Sequence, residues 1–305
     1  MSTRPSKIKG GRRQPARRSK ANETAARRQI WLCADDYGIS RSVNAAIRQL
    51  ILRERINATS VMTAAPHFDA DEAAALDALN SDKWRASLGL HVTLTAPFRP
   101  LNESHAPLQR GHFLPLQKMM RAAMTRRLDR ARLTIEIATQ VEAFIMAFGR
   151  PPDFIDGHQH VHLLPQVRDA VLKVAVDAAP DAWIRQCGRP RAAGRRKSRK
   201  ELVLDVLSVG FRRKARRLGV TLNPAFAGAY DFDGEPDFAA VFPRFLEGMP
   251  DGGLIMCHPG FVDAELKRLD PLTHQREREF SYFNSDAFPR ALAQHGIELA
   301  VAQKI

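Results

Sequence analysis

Short apolar runs alternate with longer amphipathic stretches along most of this chain. The runs read as buried strands, and the longer stretches as helices with one apolar face. "IWLCA" (30–34) is the first strand pattern, and Ser40 then N-caps "RSVNAAIRQLILRE", with Val43, Ile47, Leu50 and Ile51 on one face. "ATSVMTA" (58–64) predicts the second strand, the Ala-rich "DADEAAALDAL" a helix, and "RASLGLHVTLT" (85–95) the third strand. A proline-rich loop follows from Pro97 to Pro115. Helices are predicted around 116–128 and 131–148, the second with a stripe of Ile135, Ala138, Val141, Ile145 and Phe148. "DFIDGHQHVHLL" (153–164) reads as one strand-like run, and Pro165 opens the next helix, where its missing N–H costs nothing. "AWIRQ" (182–186), a basic helix over 198–218 and the strand candidate "AFAGAY" come next. A helix that Pro243 breaks or kinks, the strand "GGLIMCHPG" (252–260), helices near 272–283 and 285–295, and "IELAVA" complete the set.

About seven strand–helix alternations without a long meander predict α/β architecture: a parallel sheet with helices outside. The count and length suit a (β/α) barrel of about seven strands, spanning 29–305 as a single domain, better than an open sheet. Neither GxGxxG nor GxxxxGK[ST] follows an early strand, which argues against a nucleotide-binding sheet.

Charge adds a second feature. The net charge is +14, and residues 1–28 hold ten Lys/Arg against the single acid Glu23. This stretch has almost no large apolar residues, so it predicts a disordered basic tail able to touch nucleic acid or an anionic surface, with a solvated extension as the plainer reading. It lacks the apolar segment of a secretory signal, and no run of 18 apolar residues predicts a membrane span. Three widely spaced cysteines, Cys33, Cys187 and Cys257, form no CxxC pair and suit a reducing, cytoplasmic setting. Nothing in the pattern decides whether the chain forms a homo-oligomer.

The chemistry-bearing residues fall at predicted strand ends. Asp35 and Asp36 end the first strand, His91 the third, Asp156, His158, His160 and His162 the next, and His258 a late one. In parallel α/β folds, ligands bind beyond the carboxyl ends of the strands, so these groups converge on one mouth. Taken as a strand, "HQHVH" lines three imidazoles along one face. Adjacent imidazoles on that face lie too far apart for all three to bind one ion. The run therefore predicts one ligand, one residue serving as support or substrate contact, and one packing residue, with "LLP" after His162 favouring packing there. One carboxylate of the pair can bind a divalent cation, while its neighbour stays ionised as a general base, with Gly38 allowing the turn. Cys33 and Cys257, beside these groups, read as small buried hydrophobes.

"ADDYGIS…VNAAI", "GLHVTLT", "DGHQHVHLLP" and "MCHPG" occur in an order that resembles the YdjC-like carbohydrate deacetylases, a family that includes chito-oligosaccharide and hopanoid-associated deacetylases. The resemblance covers about residues 29–300 and implies a barrel of the glycoside hydrolase/deacetylase kind, one divalent metal ion, Mg2+ or Zn2+, and an N-acetylated sugar substrate. It implies Asp36, His91 and His158 as metal ligands, Asp35 as general base and His258 as general acid. It also implies that Tyr37, where the family commonly has Phe, adds a hydroxyl without disturbing the metal. Around this set, Asp156 is a candidate to fix a histidine tautomer, His160 to support the site or meet substrate, and Arg185 to orient Asp35 or meet substrate. Tyr230, Phe232 and Phe261 are candidate sugar-stacking rings. Two other functions fit parts of the sequence: another metal-dependent hydrolase, a phosphoesterase or cyclic amidase, and a nucleic-acid-binding protein acting through its basic stretches.

Overall fold

The computed structural model describes residues 1, 27–190, 199–230 and 236–301. Most of the predicted basic tail therefore lies outside the described residues, as does Phe232. The elements run β1 (Arg28–Tyr37), α1 (Arg41–Leu52), β2 (Ala58–Val61), α2 (Ala70–Asp77), β3 (Ser87–Val92), α3 (Leu116–Met124), α4 (Arg130–Phe148), β4 (Phe154–Gly157), α5 (Val167–Ala178), β5 (Trp183–Ile184), α6 (Arg199–Arg217), β6 (Phe226–Ala227), α7 (Phe238–Leu246), β7 (Gly253–Cys257), α8 (Ala264–Leu269), α9 (His274–Asn284), α10 (Ala287–Gln294) and β8 (Ile297–Leu299).

All strand pairs are parallel, in the order β5-β4-β3-β2-β1-β7-β6, and β8 pairs with the first residues of β1. The sheet curls, and its edges meet where Ile184 donates its N–H to Thr221 O (2.9 Å) and Phe226 donates to Gly188 O (3.0 Å). Asn223 holds the same seam: its Oδ1 accepts the Gln186 N–H at 2.7 Å, and its Nδ2 donates to Gln186 O at 3.1 Å. β1 is central because its run is apolar on both faces. Ile30, Leu32, Cys33 and Ala34 are fully buried, as is usual for a strand covered on both sides. Among the described residues, no helix is long and apolar enough to cross a membrane.

α1 follows its sequence pattern. The Ser40 side chain accepts the Val43 N–H, and Val43, Ile47, Leu50 and Ile51 face inward. α4 is rotated from the expected stripe: Leu133, Ile137, Val141, Phe144 and Phe148 are buried, while Ile135 is half exposed. The cause is polar. Glu136 and Gln140 turn inward because the loop after β3 needs acceptors and donors. Glu136 takes the N–H groups of Leu101 (3.1 Å) and Asn102 (2.9 Å), and Gln140 bonds both backbone groups of Thr93. α7 is one segment across Pro243, and α8 had no counterpart in the sequence pattern.

The run 153–164 is not a strand throughout. β4 ends at Gly157, and His158–Leu163 forms a tight helical segment in which Gln159 and His160 have φ of 54° and 58°. The predicted row of imidazoles on one strand face is therefore absent. Each histidine points to a different neighbour.

Candidate metal centre and active site

The aspartate pair sits on a bulge. β1 pairs Ala34 with Thr59 and then Tyr37 with Val61, so Asp35 and Asp36 together oppose Ser60. One extra residue in a strand re-aims the side chains around it. Asp36 adopts φ 70°, the left-handed region that a non-glycine residue enters at a cost of roughly 1–3 kcal/mol. Gly38 (φ 104°) does shape the following turn, with its N–H held by Asn44 Oδ1 at 2.6 Å. The step that redirects the chain comes earlier, at Asp36 itself.

Asp36 Oδ1 lies 3.0 Å from His158 Nδ1 and 3.3 Å from His91 Nε2. These three residues, all buried, bring one donor atom each to within 4.8 Å of the others. They come from β1, β3 and the segment after β4, so strands distant in the chain meet here as expected. A carboxylate oxygen with two imidazole nitrogens is a donor set that suits a divalent cation and leaves coordination positions for water or substrate. The other oxygen, Asp36 Oδ2, accepts Arg276 Nη2 at 2.6 Å, and the same nitrogen reaches Asp270 Oδ2 at 2.7 Å.

Asp35 has a separate cation. Arg185 grips it with both ends of its fork, Nη1 to Oδ2 and Nη2 to Oδ1, each at 2.7 Å, and also pairs with Asp156 Oδ2 at 2.5 Å. Burial pushes the Asp35 carboxyl up, but the Arg185 guanidinium outweighs it and holds the group well below the usual carboxylate range. Asp156 Oδ1 lies 2.5 Å from His91 Nδ1, which turns Nε2 toward Asp36. Burial disfavours charge on His91, yet Asp156, then Asp36 and Asp35, raise it to about 10. A field that favours a proton on this ring favours a metal cation beside it for the same reason. Ser60 Oγ joins the two halves, 3.2 Å from Asp35 Oδ1 and 3.0 Å from His91 Nδ1.

A YdjC-like protein family model matches residues 29–294. The chain belongs to the YdjC-like protein family.

The chain is 27% identical over 276 residues to a chitooligosaccharide deacetylase of Citrobacter koseri, covering 89% of this chain and 97% of that protein. It is 29% identical over 274 residues to a chitooligosaccharide deacetylase of Yersinia pestis, covering 87% and 94%. A crystal structure of an Enterococcus faecalis protein ascribed to cellobiose-phosphate cleavage superposes with a TM-score of 0.70 at 18% identity, covering 90% of this chain and 97% of that one. That likeness bears on the fold alone and agrees with the curled parallel sheet.

The remaining sequence candidates in this YdjC-like chain take different places. His258 follows β7, the neighbour of β1. Burial lowers its imidazole to about 4, so the ring is neutral at pH 7. The His258 backbone N–H donates to Glu279 Oε2 (2.5 Å), and Tyr230 donates its hydroxyl to Glu279 Oε1 (2.6 Å). Tyr230 is thus a buried support rather than an exposed stacking ring, and Phe261 packs against Phe280 with centroids 4.5 Å apart. His160 is brought to Cys187 Sγ (3.6 Å) and edge-on to Phe226, outside the donor set. His162 Nε2 lies 2.9 Å from Arg185 O and packs against Phe211, the packing role expected of it. The Tyr37 hydroxyl donates to Glu72 and accepts from Arg48, away from the donor atoms. Cys33, Cys187 and Cys257 are free and buried.

Sequence reasoning missed Arg276, Asp270, Glu279 and Ser60. Arg276 and Glu279 lie in "HQREREF", within the helix predicted near 272–283, and both are fully buried.

Proposed function

We propose that this protein is a metal-dependent hydrolase that removes the acetyl group from an N-acetylated carbohydrate. The observation that carries this reading is the meeting of Asp36, His91 and His158 beside an aspartate held by its own arginine. The chitooligosaccharide deacetylases among its relatives support the substrate class. Asp36, His91 and His158 would hold one divalent ion, zinc or magnesium. When bound, such an ion polarises an acetyl carbonyl and acidifies a water.

Asp35 takes the proton of the attacking water. The Arg185 fork keeps it ionised and fixes its direction, while Ser60 ties it to His91. Asp156 holds the tautomer of His91, and Arg276 leaves Asp36 Oδ1 facing the two imidazoles. Because His258 is neutral at pH 7, it protonates the departing sugar nitrogen only after gaining a proton released in the first step. The other group of close donors, Cys33, Asp35 and Asp156, already holds the Arg185 guanidinium between its carboxylates, which favours one metal cation over the two a phosphoesterase would use. The buried free cysteines suit a cytoplasmic setting.

The test joins metal analysis of purified protein to an acetate-release screen over N-acetylated sugars. Asp36→Ala, His91→Ala and His158→Ala should each lose metal and activity together. Asp35→Asn should keep metal and lose about 10²–10⁴-fold in turnover. Absence of acetate release from every sugar tried, with phosphoester or cyclic amide hydrolysis instead, would overturn the reading.

A further inference from the structure

The outward face of α6 has the wrong composition for a solvated helix. Its inward face is ordinary: Leu204, Ser208, Phe211 and Ala215 are buried at helical spacing. The opposite face should be polar, yet Leu202, Val203, Val206 and Val209 stand 43%, 47%, 72% and 50% exposed. One turn further on, the same face carries Arg213, Arg216 and Arg217, all exposed. Among the described residues, no carboxylate lies within ion-pair distance of these three arginines. The acids of α6 are turned elsewhere: Glu201 is buried, and Asp205 pairs with Arg189.

We propose that this face of α6 docks the protein on an anionic lipid bilayer, with Leu202, Val203, Val206 and Val209 entering the interface and Arg213, Arg216 and Arg217 meeting lipid phosphates. Exposed aliphatic positions continuous with cations that no described carboxylate pairs are the composition of an interfacial helix, whose binding combines buried apolar area with attraction to anionic headgroups. A second copy of this chain is a poorer occupant. Pairing through this face sets arginines against arginines, or buries guanidinium groups on the partner's valines. The net +9 of residues 1–28 favours the same anionic surface. The proposal goes beyond deacetylation and stands or falls apart from it.

The experiment is co-sedimentation of the full chain with vesicles of phosphatidylcholine alone and of phosphatidylcholine with one quarter phosphatidylglycerol. Binding is expected to the second kind and to weaken with salt. Exchanging Arg213, Arg216 and Arg217 for Ser should lower the partition coefficient on the order of a hundredfold. The double variant Val206→Asp, Val209→Asp should lower it about tenfold or more, with unchanged circular dichroism because both positions are exposed. Three results would overturn the proposal: no binding to the anionic vesicles, full binding retained by the double Asp variant, or a dimer in light scattering that the double Asp variant dissolves.

Discussion

Replacing Arg185 with Met tests the electrostatic frame of the mouth. Arg185 is wholly buried and pairs with two buried carboxylates, Asp35 through a two-bond fork and Asp156 through a 2.5 Å contact. Met fills similar volume and removes the charge, which strands Asp35 and leaves Asp156 with His91 alone, in a site where water cannot replace the guanidinium. Breaking one buried pair by removing a partner costs about 3–5 kcal/mol, and here one cation serves two anions, so the loss should lie near 5 kcal/mol. Against a usual domain stability of roughly 5–15 kcal/mol, that leaves a marginal protein. Arg185→Lys keeps one charge but not the planar fork and should cost about 2 kcal/mol, so it reports even if the Met variant fails to fold. The assay is urea unfolding at pH 7 of wild type, Arg185→Met, Arg185→Lys, Asp35→Asn and the Asp35→Asn, Arg185→Met double variant. Asp35→Asn removes one stranded charge, so the double variant should regain part of the Arg185→Met loss. Strict additivity, or an Arg185→Met protein within 1 kcal/mol of wild type, would refute the frame.

Tyr37→Phe removes a hydroxyl bound to Glu72 and Arg48 and should cost about 1–2 kcal/mol in urea unfolding while bound metal per chain stays unchanged. Gly228 has φ 107°, and a Cβ there would lie 2.1 Å from Met256 O, so Gly228→Ala should lower stability by roughly 3 kcal/mol and shift the thermal midpoint accordingly. Burial raises the Glu279 carboxyl from 4.5 to about 7. The folded state therefore holds this proton more tightly than the unfolded chain. Its stabilising contribution is full below pH 4.5 and is lost as pH rises through 7, by about 3 kcal/mol. Glu279→Gln should lack that slope between pH 5 and pH 8 in urea midpoints, and an identical slope in both proteins would refute the assignment.

The fold was legible where one period dominated. β1 and α1 carry apolar positions that a single geometry can satisfy, and the structure places them accordingly. Strand-end acids and imidazoles were legible too, because a parallel sheet sends them to one mouth whatever the loops do. In the structure Asp156 lies beside His91 and Arg185 beside Asp35. "HQHVH" misled because alternation is a strand signal only while the backbone stays extended, and left-handed φ at Gln159 and His160 breaks it within two residues. The face of α4 misled for a related reason. Glu136 and Gln140 are polar by composition, yet they serve loop backbone groups inside. Arg276 was unreadable because its partner Asp36 lies far away in the chain, and no local pattern records a long-range ion pair.

The two adjacent aspartates are chemically identical in sequence, and their surroundings separate them. Asp35 has both oxygens in the Arg185 fork, so its direction is fixed and its charge is balanced without a metal. Asp36 has only Oδ2 committed to Arg276 and keeps Oδ1 toward His91 and His158. A carboxylate with one uncommitted oxygen between two imidazoles is suited to ligation. A carboxylate ionised and oriented by a guanidinium is suited to accept a proton. The bulge makes this division possible, because on a regular strand consecutive side chains face opposite sides and only one acid would reach the mouth. The proposed roles of base and ligand thus rest on two arginines brought from β5's end and from α9. Exchanging the two carboxylates' roles would require each arginine to change partners.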